Sequence, residues 1–226
     1  MAASLKSVLI QPKAAHTGTV IWLHGLGDSG AGWSFMAEHL ARQFPTIKWV
    51  LPNAPNIPIT LNGGYRMPGW FDLSSLSFTE KMIEDEKGML STVSTVNQLV
   101  RDEVDNGTPS ERIVVGGFSQ GSAMALLTGL TSEYKFAGIV GLSGWLPLHS
   151  KVISMASDAN KKTPIFMGHG DIDPVVQFTY GSKSADLLKS KGYNVDFHSY
   201  KGVVHTASDE EISDVAKFLS SVLTTK

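Results

Sequence analysis

Short apolar runs alternate with longer amphipathic stretches along the chain, and that alternation predicts its architecture. Runs rich in Val, Ile and Leu predict strands at residues 7–10, 19–23, 47–51, 112–118, 137–142, 165–168 and 194–200. The middle runs, such as Ile113-Val114-Val115, are apolar at successive rather than alternate positions. A strand of that kind is covered on both faces, as in a parallel sheet between helices. Helical spacing predicts helices at residues 33–43, 84–105, 120–130, 178–191 and 209–223. In the last, Ile212, Val215, Phe218, Leu219 and Val222 recur at helical intervals. Asn106-Gly107 with Pro109 beyond it closes the long second helix. The expected class is α/β, a mostly parallel central sheet with helices on both faces.

Residues 52–78 break the pattern. Pro52, Pro55, Pro58, Gly63, Gly64, Pro68 and Gly69 crowd a segment too long for a simple connection, and such loops often border a site. No repeat, low-complexity tract or linker divides the chain, so residues 1–226 are expected to form one domain. A chain of this length hides roughly 70% of its unfolded surface on folding.

Composition narrows the chemistry. The 19 basic and 21 acidic residues leave a net charge of −2, too small a field to recruit nucleic acid by itself. With no cysteine, disulfides, thiolate metal sites and cysteine nucleophiles are excluded. No apolar window reaches transmembrane length, and Met1-Ala2-Ala3-Ser4-Leu5-Lys6 lacks the apolar run of a signal peptide. A cytoplasmic location is the default expectation.

The strongest motif is Gly117-Phe118-Ser119-Gln120-Gly121, a G-x-S-x-G between a predicted strand and a predicted helix. Alone, it would also suit a glycine-rich turn with an N-capping Ser. In this context it reads as the nucleophile elbow of an α/β-hydrolase, whose tight turn exposes the Ser hydroxyl. A neutral hydroxyl needs a base, and on this fold the order is Ser, then Asp or Glu, then His. Asp173 follows the strand at 165–168, and His205 follows the strand at 194–200. Both stand at carboxyl ends of strands, where open α/β sheets place their sites. Asp171 is the rival acid; Asp173 is preferred because Pro174 suits a fixed exit loop, whereas Asp171 reads as a turn residue. His169 is expected to buttress that loop. His24-Gly25-Leu26-Gly27-Asp28 follows the strand at 19–23, where a loop supplies one oxyanion N–H while the residue after the nucleophile supplies the other. That makes Leu26 and Gln120 the expected donors. His24, Asp28, His169 and Asp171 lack helical His-Glu-x-x-His spacing, so no metal is expected.

With these motifs in view, the chain resembles the acyl-protein thioesterases of the phospholipase/carboxylesterase family. The likeness rests on His24-Gly25-Leu26-Gly27-Asp28-Ser29-Gly30 through Trp33, Gly116 to Gly121, Leu142-Ser143-Gly144-Trp145-Leu146-Pro147, Gly168-His169-Gly170-Asp171-Ile172-Asp173-Pro174-Val175-Val176, and Gly202 to His205. It implies a small α/β-hydrolase without a cap domain that removes S-linked fatty acyl groups from proteins. Many members also cleave lysophospholipids or short esters. The family's triad falls on Ser119, Asp173 and His205, and its oxyanion donors on Leu26 and Gln120. The partners implied are S-acylated proteins or lysophospholipids, met in the cytoplasm or nucleus with transient contact to a membrane surface, and no cofactor is implied. An acyl chain needs an apolar groove, and Trp70, Phe71, Leu73, Leu76 and Trp145 are the acyl-binding candidates, with Phe78 and Leu146 beside them. The resemblance lays the loop at 70–76 over that groove. Two departures stand out: Gly144 occupies a position where members often carry Cys, and Asn62-Gly63-Gly64-Tyr65-Arg66 looks divergent. Two other readings remain: a broad carboxylesterase or lysophospholipase, and a non-catalytic binding module, which would require a broken triad.

Overall fold

The computed structural model describes residues 5–77 and 83–224. The chain runs β1 (Ser7–Ile10), β2 (Gly18–Leu23), α1 (Ser34–Gln43), β3 (Ile47–Pro52), β4 (Asn56–Ile59), β5 (Tyr65–Pro68), α2 (Glu86–Asp105), β6 (Ile113–Phe118), α3 (Gln120–Thr131), β7 (Gly138–Leu142), α4 (Val152–Met155), β8 (Ile165–Gly170), α5 (Phe178–Ser190), β9 (Val195–Tyr200) and α6 (Asp209–Leu223). Seven strands form one sheet in the order β1-β3-β2-β6-β7-β8-β9. Only β1 is antiparallel to its neighbour.

The continuous apolar runs are explained by two cores, one on each face. Ile21, Leu23, Ile113, Val115 and Ile139 point to the face covered by α2, α3 and α5. Val20, Trp22, Val114, Val140 and Leu142 point to the face covered by α1 and α6. Helix α3 lies deepest, with every residue from Gln120 to Leu130 buried. The chain winds from β2 to β3 on one side, then crosses back to place β6 on the other side of β2. At this switch point the loops leaving β2 and β6 part, which opens a crevice at the carboxyl edge of the sheet.

Besides the short helix α4, which the sequence did not predict, and shifts of one or two residues at element ends, the structure corrects the expectation in two places. Helix α2 begins at Glu86, not at residue 84. Asp85 caps it by accepting from the Gly88 N–H at 3.0 Å, while Glu84 accepts from the Leu148 N–H. The segment read as irregular holds an antiparallel hairpin, β4 on β5, with Ile57 opposite Met67 and Ile59 opposite Tyr65. Its turn passes through Gly63 and Gly64 at φ values of 63° and 82°, a region glycine enters without strain. Among the described residues, no helix is long and apolar enough to cross a membrane.

Candidate active site

Ser119 sits between the end of β6 and the start of α3 at φ 54° and ψ −118°, a conformation that costs a non-glycine residue energy. Crowding holds it there. A Cβ on Gly117 would lie 2.5 Å from the Gly121 backbone, and one on Gly121 would lie 2.1 Å from Leu23 O. The elbow is pinned to β7 by the Ser119 N–H, which donates to Leu142 O at 2.8 Å.

Three elements converge on this turn. The Ser119 hydroxyl donates to His205 Nε2 at 3.0 Å, and His205 Nδ1–H donates to Asp173 Oδ2 at 2.7 Å. His205 comes from the loop between β9 and α6, and Asp173 from the loop after β8. Asp173 is fixed by its own turn, since its Oδ1 accepts the N–H groups of Val175 (2.8 Å) and Val176 (3.0 Å). Burial pushes this carboxyl up. Hydrogen bonds from His169, His205 and Val175, with the neighbouring His205 charge, outweigh that and hold it well below the usual carboxylate range. His169 is buried behind it, donating from Nε2 to Val176 O at 2.7 Å and lying 3.5 Å from Asp173 Oδ2. Asp171 points elsewhere: its Oδ1 accepts the Gly202 N–H at 2.6 Å, clamping the two loops together.

The expected oxyanion donors flank the nucleophile. In the loop after β2, the Gly27 and Asp28 N–H groups are committed to Pro68 O (2.8 Å) and Gly25 O (3.2 Å). Among the described residues, no loop, turn or cap bond uses the N–H of Leu26 or of Gln120. His24 anchors this loop from beneath. It is buried, donates from Nδ1 to Gly25 O at 2.7 Å and accepts the Ala54 N–H on Nε2 at 3.0 Å. Burial holds its basicity below that of an ordinary histidine, and the Gly25 carbonyl and Asp28 offset this only in part.

Beside Ser119 opens a cavity of about 350 Å³. Of the acyl-binding candidates, Leu73, Leu76 and Trp145 line it. Trp70 and Phe71 do not. They are buried at 3% and 1% exposure behind that wall, Trp70 packed on His24 and Phe71 edge-on against Trp145. Their backbone explains why. The buried side chain of Gln120 accepts the Trp70 N–H and donates to Phe71 O, both at 2.8 Å, so these aromatics pin the segment to α3. Leu146 is also buried outside the cavity, with its N–H on Ser184 Oγ at 2.8 Å. Phe78 lies outside the described residues. The sequence reading missed Trp33, Leu61, Phe118, Val175 and Val176 as lining residues. Val175 and Val176 were legible as neighbours of Asp173, but Leu61 reaches the cavity through the hairpin, which leaves no local signal.

Gly144 has no room for a side chain. A Cβ there would lie 2.3 Å from Ser122 Oγ and 2.5 Å from Ser122 Cβ, so the side chain of Ser122 fills the space a larger residue would need.

Over residues 5–223 the chain matches the phospholipase/carboxylesterase family. It is 46% identical to acyl-protein thioesterase 1 of Cryptococcus neoformans, with 99% of this chain and 100% of the relative covered. Its fold superposes on the crystal structure of SOBER1 from Arabidopsis thaliana with a TM-score of 0.87 at 33% identity, covering 92% of this chain and 100% of the other. Acyl-protein thioesterase 2 of Zea mays gives 0.86 at 34% identity, with 97% and 99% covered.

Proposed function

The chain belongs to the phospholipase/carboxylesterase family, and on that premise we propose that it is an acyl-protein thioesterase, a serine hydrolase that removes S-linked fatty acyl groups from proteins. The observation that carries this reading is an aligned Ser119–His205–Asp173 relay opening directly onto an apolar cavity. His205 takes the Ser119 proton as the oxygen attacks the thioester carbonyl. The O–C bond forms, and the charge on the carbonyl oxygen rests on the N–H groups of Leu26 and Gln120. When the C–S bond breaks, the imidazolium returns its proton to the leaving thiolate. Water then repeats the sequence on the acyl-enzyme and releases the fatty acid. These steps use only the chain's own groups and water.

The cavity supports an acyl chain as the group recognised. Burying about eight methylenes contributes several kcal/mol at roughly 0.8 kcal/mol each, so long chains should outcompete acetyl. The exposed hairpin residues Leu61 and Tyr65, the latter 70% exposed, supply an apolar rim at which a membrane-held substrate would be met. Lysophospholipids are a second proposed substrate class, because the apolar lining of Leu73, Leu76, Trp145 and Val176 suits an acyl chain whether a thiol or an alcohol leaves. We place this role in the cytoplasm or nucleus.

Turnover of an S-palmitoyl peptide is to be compared with that of the matched oxygen ester. Faster thioester cleavage, and a loss of about 10⁴-fold or more in Ser119→Ala, is expected. Equal or faster cleavage of the oxygen ester would make the lysophospholipase reading the better one. Undiminished hydrolysis in Ser119→Ala would remove the triad assignment altogether.

A further inference from the structure

A column of aromatic rings runs from the core to the histidine at the site. Trp22, buried on β2, packs against Trp33 with centroids 5.4 Å apart. Trp33 packs against Phe118 at 5.1 Å, and Phe118 against the His205 imidazole at 4.8 Å with planes inclined by 48°. Phe118 is the last residue of β6, and its neighbour in sequence is Ser119. One strand end therefore sets both the hydroxyl and a ring packed on the imidazole it bonds.

The hydrogen bonds of His205 leave something for this contact to do. Nδ1 and Nε2 are both engaged, which fixes the direction of the ring within its plane. Two in-plane bonds do little to stop the ring rocking about the line that joins them. The backbone around His205 adds no regular element, since residues 201–208 lie between β9 and α6 without helix or strand. A ring packed against the imidazole restrains that motion. It also meets the charge that develops, because proton transfer from Ser119 makes the imidazole a cation within the distance at which an aromatic quadrupole attracts one.

We propose that Phe118, backed by Trp33, is a positioning residue for His205, holding the imidazole in line with Ser119 and stabilising the imidazolium formed during acylation. The proposal rests on the triad reading given above.

The test replaces Phe118 site-specifically with mono-, di- and trifluorinated phenylalanine, which keeps the ring's shape while withdrawing electron density from its face. Hydrolysis of a p-nitrophenyl ester is followed as kcat and KM separately. A stepwise fall in kcat at constant KM is expected, reaching about three- to tenfold across the series. Phe118→Tyr should retain kcat within about twofold, and Phe118→Leu should lose about tenfold. Trp33→Leu should lower kcat less, and should add nothing once Phe118→Leu is present. A flat fluorine series overturns the electrostatic half of the proposal, and an unchanged kcat in Phe118→Leu overturns the positioning half. The fluorinated chains are near-isosteric, so the test survives even if Phe118→Leu folds poorly. Activity retained in Ser119→Ala would instead sink the triad reading itself, which keeps the two failures distinct.

Discussion

The wall of the cavity that carries the triad and the wall that faces it are held in different ways. On the triad side Ser119, Asp173 and His205 hang from the ends of β6, β8 and β9, members of the parallel run β6-β7-β8-β9 that ends at the sheet edge. Their side chains are fixed by named partners at 2.7–3.0 Å. On the facing side, Leu61 and Leu76 come from the hairpin and from the irregular segment after it. Both are 38% exposed. That side is tied back mainly through the backbone of residues 70–73, by Gln120 and by the Leu61 N–H on Leu73 O. The proposed chemistry thus rests on a parallel sheet, and the proposed choice of acyl chain rests on a separate segment that meets the sheet through Gln120 and through Pro68 O on the Gly27 N–H.

The largest expected effect breaks the triad side. Asp173→Asn should lower kcat by about 10⁴-fold, because His205 loses the partner that fixes its tautomer. Asp171→Asn, which alters the carboxylate that accepts the Gly202 N–H and leaves the Asp171 N–H on Tyr200 O, should stay within a few-fold of wild type. Kinetics on one ester separate the two, and equal losses would mean that the loop clamp matters as much as the acid.

Next comes a cost hidden on the same side. Glu211, in the first turn of α6, is fully buried, and neither carboxyl oxygen makes a hydrogen bond among the described residues. Burial pushes its pKa up to about 8, with Asp173 and Asp214 adding to the effect. The Ser208 N–H offsets it only in part and does not reach hydrogen-bond geometry. The native state therefore keeps this proton to about pH 8, whereas the unfolded chain releases it near 4.5. The resulting stability is complete below pH 4.5 and is lost as pH rises towards 8, by up to about 1.4 kcal/mol per unit. Glu211→Gln should remove that slope and be more stable than wild type by about 3 kcal/mol at pH 7. Denaturant unfolding at pH 5 and pH 7 reads the difference, and parallel pH profiles for the two proteins would exclude a protonated Glu211.

The smallest effect sharpens the other side. Leu61→Ala with Leu76→Ala should raise KM for long acyl chains by about three- to tenfold through lost apolar contact, leaving acetyl-ester turnover unchanged. A chain-length series on the double variant checks this. A matching loss on acetyl substrates would show that this segment shapes the chemistry after all.

What the sequence made legible follows the same division. Runs such as Ile113-Val114-Val115 carried the parallel sheet because burial on both faces leaves an unbroken apolar imprint. Ser119 was legible because the elbow's steric demands place glycines at 117 and 121. Asp173 and Asp171 lie two residues apart in one loop, and Pro174 was the only local hint of the turn that locks one of them. The hairpin stayed hidden because each of its strands has four residues and contains a proline, Pro58 or Pro68, which argues locally against a strand. Trp70 and Phe71 looked like groove residues because aromatics in an irregular segment suggest a surface. They pack into the core instead, and their backbone is tied down by the side chain of Gln120, about fifty residues further along the chain.

The strand order has a consequence for how the protein comes into being. Ser119 and His205 are 86 residues apart, and the relay between them closes only after β7, β8 and β9 have added to β6 in turn. At a synthesis rate of roughly 5–20 residues per second, the nucleophile precedes its base by several seconds on the ribosome. Through that interval the nascent chain carries a serine with nothing to activate it. Turnover begins when the later strands dock, so the first acyl group cleaved reports that the long-range pairings of the fold are complete.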